Sequence, residues 1–293
     1  MTAVQRPANA RGAGDGMKLH RRTVRLGGRD HTVIGLRPGT RAGFSTNLFH
    51  ETWHVLSDQH GARVLARLLW GLAYQSRPGT LLVIDRPFLT PTPFDADPAD
   101  PIVLVPAWHT AFTAATARDL ARRLPLRRPP DGTVRWRTHG LDGALADPRA
   151  WFREHPREPV GGRVKRMHGL LALLPSRPAE AREWGVQAGW LDAANPHGMD
   201  YDYIGGQCRS AAGEIQIFRD FRHRVSVARR ARADVLARPD APADPADLRP
   251  LVWDRHGEIT WAGARRSASQ RGAPRPAGRA ARAPGGVPGE GGA

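Results

Sequence analysis

The chain has 293 residues, of which 40% are hydrophobic and 25% charged, enough for one large or two small domains with their own core. A wholly disordered polymer is excluded. Lysine plus arginine outnumber aspartate plus glutamate 44 to 28, a formal charge of +16, yet only Lys18 and Lys165 are lysines. Arginine used this heavily beside abundant Ala, Gly and Pro is what a GC-rich coding sequence writes throughout, so the basic balance alone does not specify a nucleic-acid partner. Cys208 is the only cysteine, which excludes disulfides, thiolate zinc clusters and paired redox thiols. Any bound metal must use His, Asp or Glu.

In chain order, residues 1–16 mix Arg, Gly, Ala and Pro without the apolar block of a secretory signal and are expected to be a disordered extension, with Met17 the expected true start. Lys18 to Leu26 and His31 to Leu36 flank Gly27-Gly28-Arg29-Asp30, a turn whose glycines allow positive φ, and predict an opening β-hairpin. From Asn47 to about Gln75, Phe49, Trp53, Leu56, Val64, Leu68 and Leu72 recur at mostly helical spacing, with Ser45 or Thr46 as N-cap. This predicts the longest helix of the first half. Pro78-Gly79 ends it. Leu81 to Asp85 and Ile102 to Val105 are continuous apolar runs suited to strands buried on both faces, joined by the Pro- and Asp-rich loop 87–101.

Thr110 to Leu124 predicts a helix with arginines toward its end, and Thr133 to Thr138 alternates as a half-exposed strand does. Ser176, Pro178 and Glu180 announce a helix running to about Ala194. Glu214 to Ala237 predicts another, with Phe218, Phe221, Val225, Ala228 and Val235 on one arc and Arg219, Arg222, Arg229 and Arg230 on the next. Residues 241–250 read as a linker. Leu251 to Trp261 reads as a terminal β-hairpin turning at Asp254-Arg255-His256-Gly257, followed by a disordered tail, 263–293, with six arginines against Glu290.

The expected fold is α+β or mixed α/β: a small central sheet with several packed helices over 17–240, an opening β-hairpin and disordered termini. The most apolar runs fall far short of the roughly 18 residues a membrane span requires, so a cytoplasmic location is expected.

One segment carries chemistry. His50-Glu51-Thr52-Trp53-His54 matches HExxH, whose two histidines, four apart on one helix face, chelate a zinc while the glutamate acts as general base on the metal-bound water. With His60 six residues after His54, the segment resembles the longer metzincin pattern HExxHxxGxxH, and Gly198-Met199-Asp200-Tyr201 resembles the Met-x-Tyr turn of those enzymes. The resemblance implies a zinc cofactor held by His50, His54 and a third ligand, with Glu51 catalytic. Ser57 stands where the pattern has its glycine, and on a straight helix His60 lies about 9 Å beyond His54 and about 120° round the axis. The third ligand is then His60 only if the chain turns back; His197 or Asp200, in the loop between two expected helices, is the other candidate. The structural alternative makes His50 and His54 ordinary members of a packed amphipathic helix.

Other motifs are weaker. Asp95, Asp97 and Asp100 lack the glycine and glutamate of a calcium loop, so solvation is the expected role. Gly27-Gly28 and Gly161-Gly162 lack phosphate-loop spacing, and no Gly-x-Ser-x-Gly elbow occurs. Two functional classes stay open: a zinc-dependent, peptidase-like hydrolase, or a non-catalytic protein that binds nucleic acid or an acidic protein through Arg219, Arg222, Arg229 and Arg230.

Overall fold

The computed structural model describes residues 17–156, 161–205 and 213–272, with side chains described as far as 262. The expected extension 1–16, the tail beyond 272 and Cys208 lie outside the described residues. The fold is mixed α/β, with two sheets and seven α-helices among the described residues.

The larger sheet has the order β7-β1-β2-β5-β6-β9-β8 and comprises β1 (Met17–Leu26), β2 (Arg29–Gly35), β5 (Thr80–Ile84), β6 (Ile102–Leu104), β7 (Gly132–Trp136), β8 (Arg163–Met167) and β9 (Leu170–Leu174). The expected opening hairpin is present: β1 and β2 pair antiparallel around Gly27 and Gly28, both at positive φ. β5, β6 and β9 are buried along their whole length, as continuous apolar runs require. Val33, Leu81, Val83, Val103 and Ala172 on one face pack with Ala117 and Leu120 of α2 (Ala114–Arg123). Ile34, Leu82, Ile84, Leu104, Leu171 and Leu173 on the other face join α1 (Gln59–Leu72) and α5 (Pro178–Trp190). These two helices cross closely at Gly185, where a Cβ would meet the Ala66 carbonyl oxygen at 3.0 Å. α3 (Leu141–Ala146) and α4 (Pro148–Glu154) lie between β7 and β8 in the chain.

The smaller sheet has the order β10-β11-β4-β3, formed by β3 (Phe44–Phe49), β4 (Thr52–Ser57), β10 (Met199–Ile204) and β11 (Gly213–Phe218). Val55, Ile204, Ile215 and Ile217 pack into the core shared with α1 and α5. The opposite face, which carries Leu56 and Phe218, is met at one end by Phe221 and Val225 of α6 (Phe221–Leu236). α7 (Pro245–Gly272) packs along α6 through Leu248, Val252 and Ile259 against Ala231 and Val235.

Four sequence expectations are corrected. The helix expected over 47–75 is a hairpin, β3–β4, followed by a shorter helix; Asp58, not Ser45 or Thr46, is its N-cap and accepts from the Gly61 N–H at 2.8 Å. The helix expected over 214–237 is divided, its first residues forming β11, so Arg219 lies ahead of α6 and not on its arginine arc. From Pro245 on, the expected linker, the terminal hairpin expected over 251–261 and the first ten residues of the tail expected from 263 give way to α7, in which Leu248, Val252 and Ile259 recur at helical spacing and Arg255 binds Asp234 of α6 at 2.7 Å. The loop that holds Asp200 is largely strand β10. No helix among the described residues is long and apolar enough to cross a membrane.

Candidate functional site

The face of the smaller sheet turned away from α1 floors a cavity of about 1050 Å³. Strand geometry decides which side chains reach it, because alternate residues share a face. On β4, Trp53 and Val55 join the core, so Thr52, His54 and Leu56 point the other way. Register then aligns a polar row across all four strands: Asn47 of β3 opposite His54, His54 opposite Glu214 of β11, and Glu214 opposite Tyr203 of β10. All four line the cavity. A neighbouring row sets Gln216 opposite Tyr201, and both also line it. The remaining wall comes from Pro93 and Phe94, from Arg224 of α6 and from Trp253 and His256 of α7.

His54 and Glu214 form the centre of the polar row. Their side chains are a tenth exposed or less, with His54 Nε2 3.7 Å from Glu214 Oε2. Burial, with His50 nearby, pushes the imidazole down to about 4, while burial, with Asp202 adding repulsion, pushes the carboxyl up to about 7. Between those values His54 is neutral and Glu214 holds a proton, an uncharged pair suited to its buried position. Gln187 and the Tyr203 backbone reinforce the edge of this floor, the amide donating to the Tyr203 carbonyl at 2.9 Å. At the far end, His256 Nε2 is buried with no hydrogen-bond partner among the described residues, and its pKa is lowered by burial and by Arg224 and His223.

The HETWH segment occupies the cavity wall without being helical. His50 and Glu51 are the two central residues of the β3–β4 turn, at φ 47° and 64°, and His54 is on the strand that follows. The i, i+4 helix face on which HExxH chelation depends is therefore absent. His50, Glu51 and His54 nevertheless line one cavity, and the Phe49 ring meets both imidazoles edge-on, with centroids 4.0 and 6.2 Å away. His60, exposed in the first turn of α1, is not part of the lining. Neither is His197, which is exposed, nor Asp200, whose carboxylate accepts from the Asp192 and Tyr201 N–H groups at 2.9 Å each. Among the described residues no three His, Cys, Asp or Glu side chains are gathered to hold a metal ion.

The arginines have varied surroundings. Arg219 donates to the carbonyls of Ala193, at 3.0 Å, and Asn195; Arg222 donates to the Arg41 carbonyl at 2.8 Å and faces Asp58 at 3.4 Å. Arg229 and Arg230 are exposed on α6. Asp97 pairs with Arg232 at 2.6 Å and with Arg249 at 3.0 Å, and buried Asp95 bonds Thr92, so these loop carboxylates tie α6 and α7 to the fold where solvation was expected.

Sequence reading reached His50, Glu51 and His54 but missed Glu214, Trp253 and His256. Glu214 was hidden inside an expected helix; the alternation Glu214-Ile215-Gln216-Ile217-Phe218 was the available strand signal. Compared with known protein families, curated proteins and solved structures, the chain shows no significant match to any of them.

Proposed function

We propose that this protein is an acid–base enzyme, acting on a small molecule that enters the cavity, with Glu214 and His54 as its proton-transfer pair and hydrolysis as its reaction. The carrying observation is the 3.7 Å pair of buried, oppositely shifted groups on the cavity floor.

In the hydrolysis of an ester or amide, the protonated Glu214 carboxyl donates to the leaving oxygen or nitrogen as the acyl bond breaks. Water supplies the oxygen that bonds to the acyl carbon, and its released proton passes to His54 Nε2. Transfer of that proton from His54 to Glu214 restores the resting pair. An acid of pKa near neutrality is matched to this task. Asn47 and Tyr203, at the two ends of the row, are placed to orient the bound substrate.

A competing reading is zinc hydrolysis through His50, His54 and Glu51, supported by their shared position on the cavity wall. The test is release of 4-nitrophenol or 4-nitroaniline from a panel of aryl esters and anilides, followed across pH. The acid–base reading expects a bell-shaped rate, rising as His54 loses its proton near pH 4 and falling as Glu214 loses its own near pH 7. Glu214→Gln and His54→Asn should each lower kcat by about 100-fold or more in folded protein, with no loss of rate in 1,10-phenanthroline. Full activity in both variants would overturn it. Loss of rate to the chelator, restored by zinc, would favour the competing reading.

A further inference from the structure

We infer that the ligand of this cavity is an extended aryl carboxylate: a planar apolar body held between aromatic side chains, with a single carboxylate directed to Arg224 and His256. The location of the site is shared with the proposed function, but the ligand class rests on separate observations.

The first is the aromatic lining. Phe49, Tyr201 and Trp253 are 45%, 49% and 47% exposed, unusual for side chains of this size, and they come from three separate elements, β3, β10 and α7. All three converge on the one cavity, where Phe94 and Tyr203 join them. Half-exposed rings gathered around a concavity leave apolar area that a planar molecule covers.

The second is the placement of charge. Apart from Glu214, the lining holds one carboxylate, Glu51, exposed on the β3–β4 turn, and one guanidinium, Arg224. They stand at opposite ends of the sheet. Glu51 precedes β4, whereas the Arg224 guanidinium lies 4.9 Å from the Phe218 ring centroid at the last residue of β11. Glu214 and Phe218 are four residues apart on the same face, about 13 Å along a strand. The polar row therefore lies between two ends of opposite sign, and a ligand that reaches both the row and Arg224 must be elongated.

The third is unused hydrogen-bonding capacity at the cationic end. Arg224 Nε donates to Asp220 at 2.7 Å, while its two terminal nitrogens have no partner among the described residues. Buried His256 Nε2 is also without one. A cation already shared with Asp220 suits a monoanion better than a phosphate dianion, and a guanidinium offers the paired donors that a carboxylate accepts. A ligand ammonium at this end would face the like charge of the Arg224 guanidinium.

Calorimetric titration of the full chain with 4-phenylbutyrate, 4-phenylbutyramide and 4-phenylbutylamine tests the inference. The carboxylate should bind at least about 10-fold more tightly than the amide, with the amine weakest. Arg224→Gln should bring carboxylate and amide to within about 2-fold of each other, and Arg224→Lys should keep part of the preference. Tyr201→Ala should weaken carboxylate and amide alike. Equal binding of carboxylate and amide, strongest binding of the amine, or a preference that survives Arg224→Gln in folded protein overturns the ligand class. Binding by none of the three overturns it as well. Glu214→Gln, which disables the proposed chemistry, should leave the carboxylate preference intact, so the ligand class and the acid–base reading fail separately.

Discussion

The hairpins β1–β2 and β3–β4 turn through the same backbone geometry with opposite residue choices. In the first, Gly27 and Gly28 sit at φ 55° and 79° between the paired residues Leu26 and Arg29. In the second, His50 and Glu51 sit at φ 47° and 64° between Phe49 and Thr52. Two-residue turns with positive φ at both positions match the twist of the flanking strands, and glycine or asparagine fills them at least cost. The β1–β2 turn follows that rule beside α2. The β3–β4 turn departs from it at the wall of the cavity, where two side chains in the left-handed region cost about 1–2 kcal/mol each. Backbone strain located where ionisable side chains line a pocket points to function in the side chains.

The largest expected effect sharpens this contrast through the strand that leaves the strained turn, since β4 carries His54 to its place beside Glu214. For Glu214, raised from 4.5 to about 7, the folded state holds a proton that the unfolded state has lost, so its contribution falls as pH rises through that window. For His54, lowered from 6.5 to about 4, the unfolded state holds the extra proton, so stability is lost as pH falls from 6.5 to about 4. Between about 4.5 and 6.5 the two slopes oppose each other and the pair contributes little net dependence. Removing either partner exposes the slope of the other. His54→Asn should lose on the order of 3 kcal/mol of relative stability between pH 4.5 and 7, and Glu214→Gln should gain a similar amount between pH 4 and 6.5. Urea denaturation of both variants across pH checks the opposed signs; slopes of the same sign would show that the shifts do not belong to this pair.

A second test breaks the first turn. A Cβ on Gly27 would stand 2.9 Å from Thr116 Oγ1 in α2, and a β-branched residue at φ 55° adds strain to that contact. Gly27→Val should therefore cost about 3 kcal/mol. Glu51→Ala, at a position that already carries a Cβ with positive φ, should change stability by no more than about 0.5 kcal/mol. Equal losses in the two variants, measured by chemical denaturation, would remove the distinction between the turns.

The same contrast explains what the sequence disclosed. Gly27-Gly28 advertises its conformation, so the opening hairpin was legible; buried strands β5 and β6 were legible as unbroken apolar runs. His50-Glu51 carries no turn signal. Phe49, Trp53 and Leu56, four and three residues apart, imitate a helix because the turn happens to set strand residues at that spacing. HETWH marked a real concentration of ionisable groups at the cavity while suggesting the wrong backbone for it. Its partner Glu214 lies 160 residues downstream and reaches His54 only through the parallel pairing of β4 with β11. Nothing local encodes that pairing. Trp253 and His256 were obscured for another reason: Asp254-Arg255-His256-Gly257 has turn composition, but packing of Leu248, Val252 and Ile259 on α6 favours a continuous helix.

A modest gain in stability separates conformation from chemistry at the strained turn. Replacing His50-Glu51 by Asn-Gly keeps the two-residue hairpin and supplies residues that tolerate positive φ, so the double variant should be more stable by about 1–2 kcal/mol, read as a raised unfolding midpoint. If the strain is retained for function, the gain must be accompanied by a loss. His50 is near enough to His54 to help lower its pKa, so its removal should move the acid limb of the pH–rate curve upward, and the loss of Glu51 should weaken the opposition of charge across the cavity. A variant more stable than the parent, with an unchanged pH–rate curve and unchanged preference for the carboxylate probe, would show that the turn contributes only its backbone. A variant that gains stability and shifts the acid limb would show that this hairpin holds an unfavourable conformation because of where it places an imidazole.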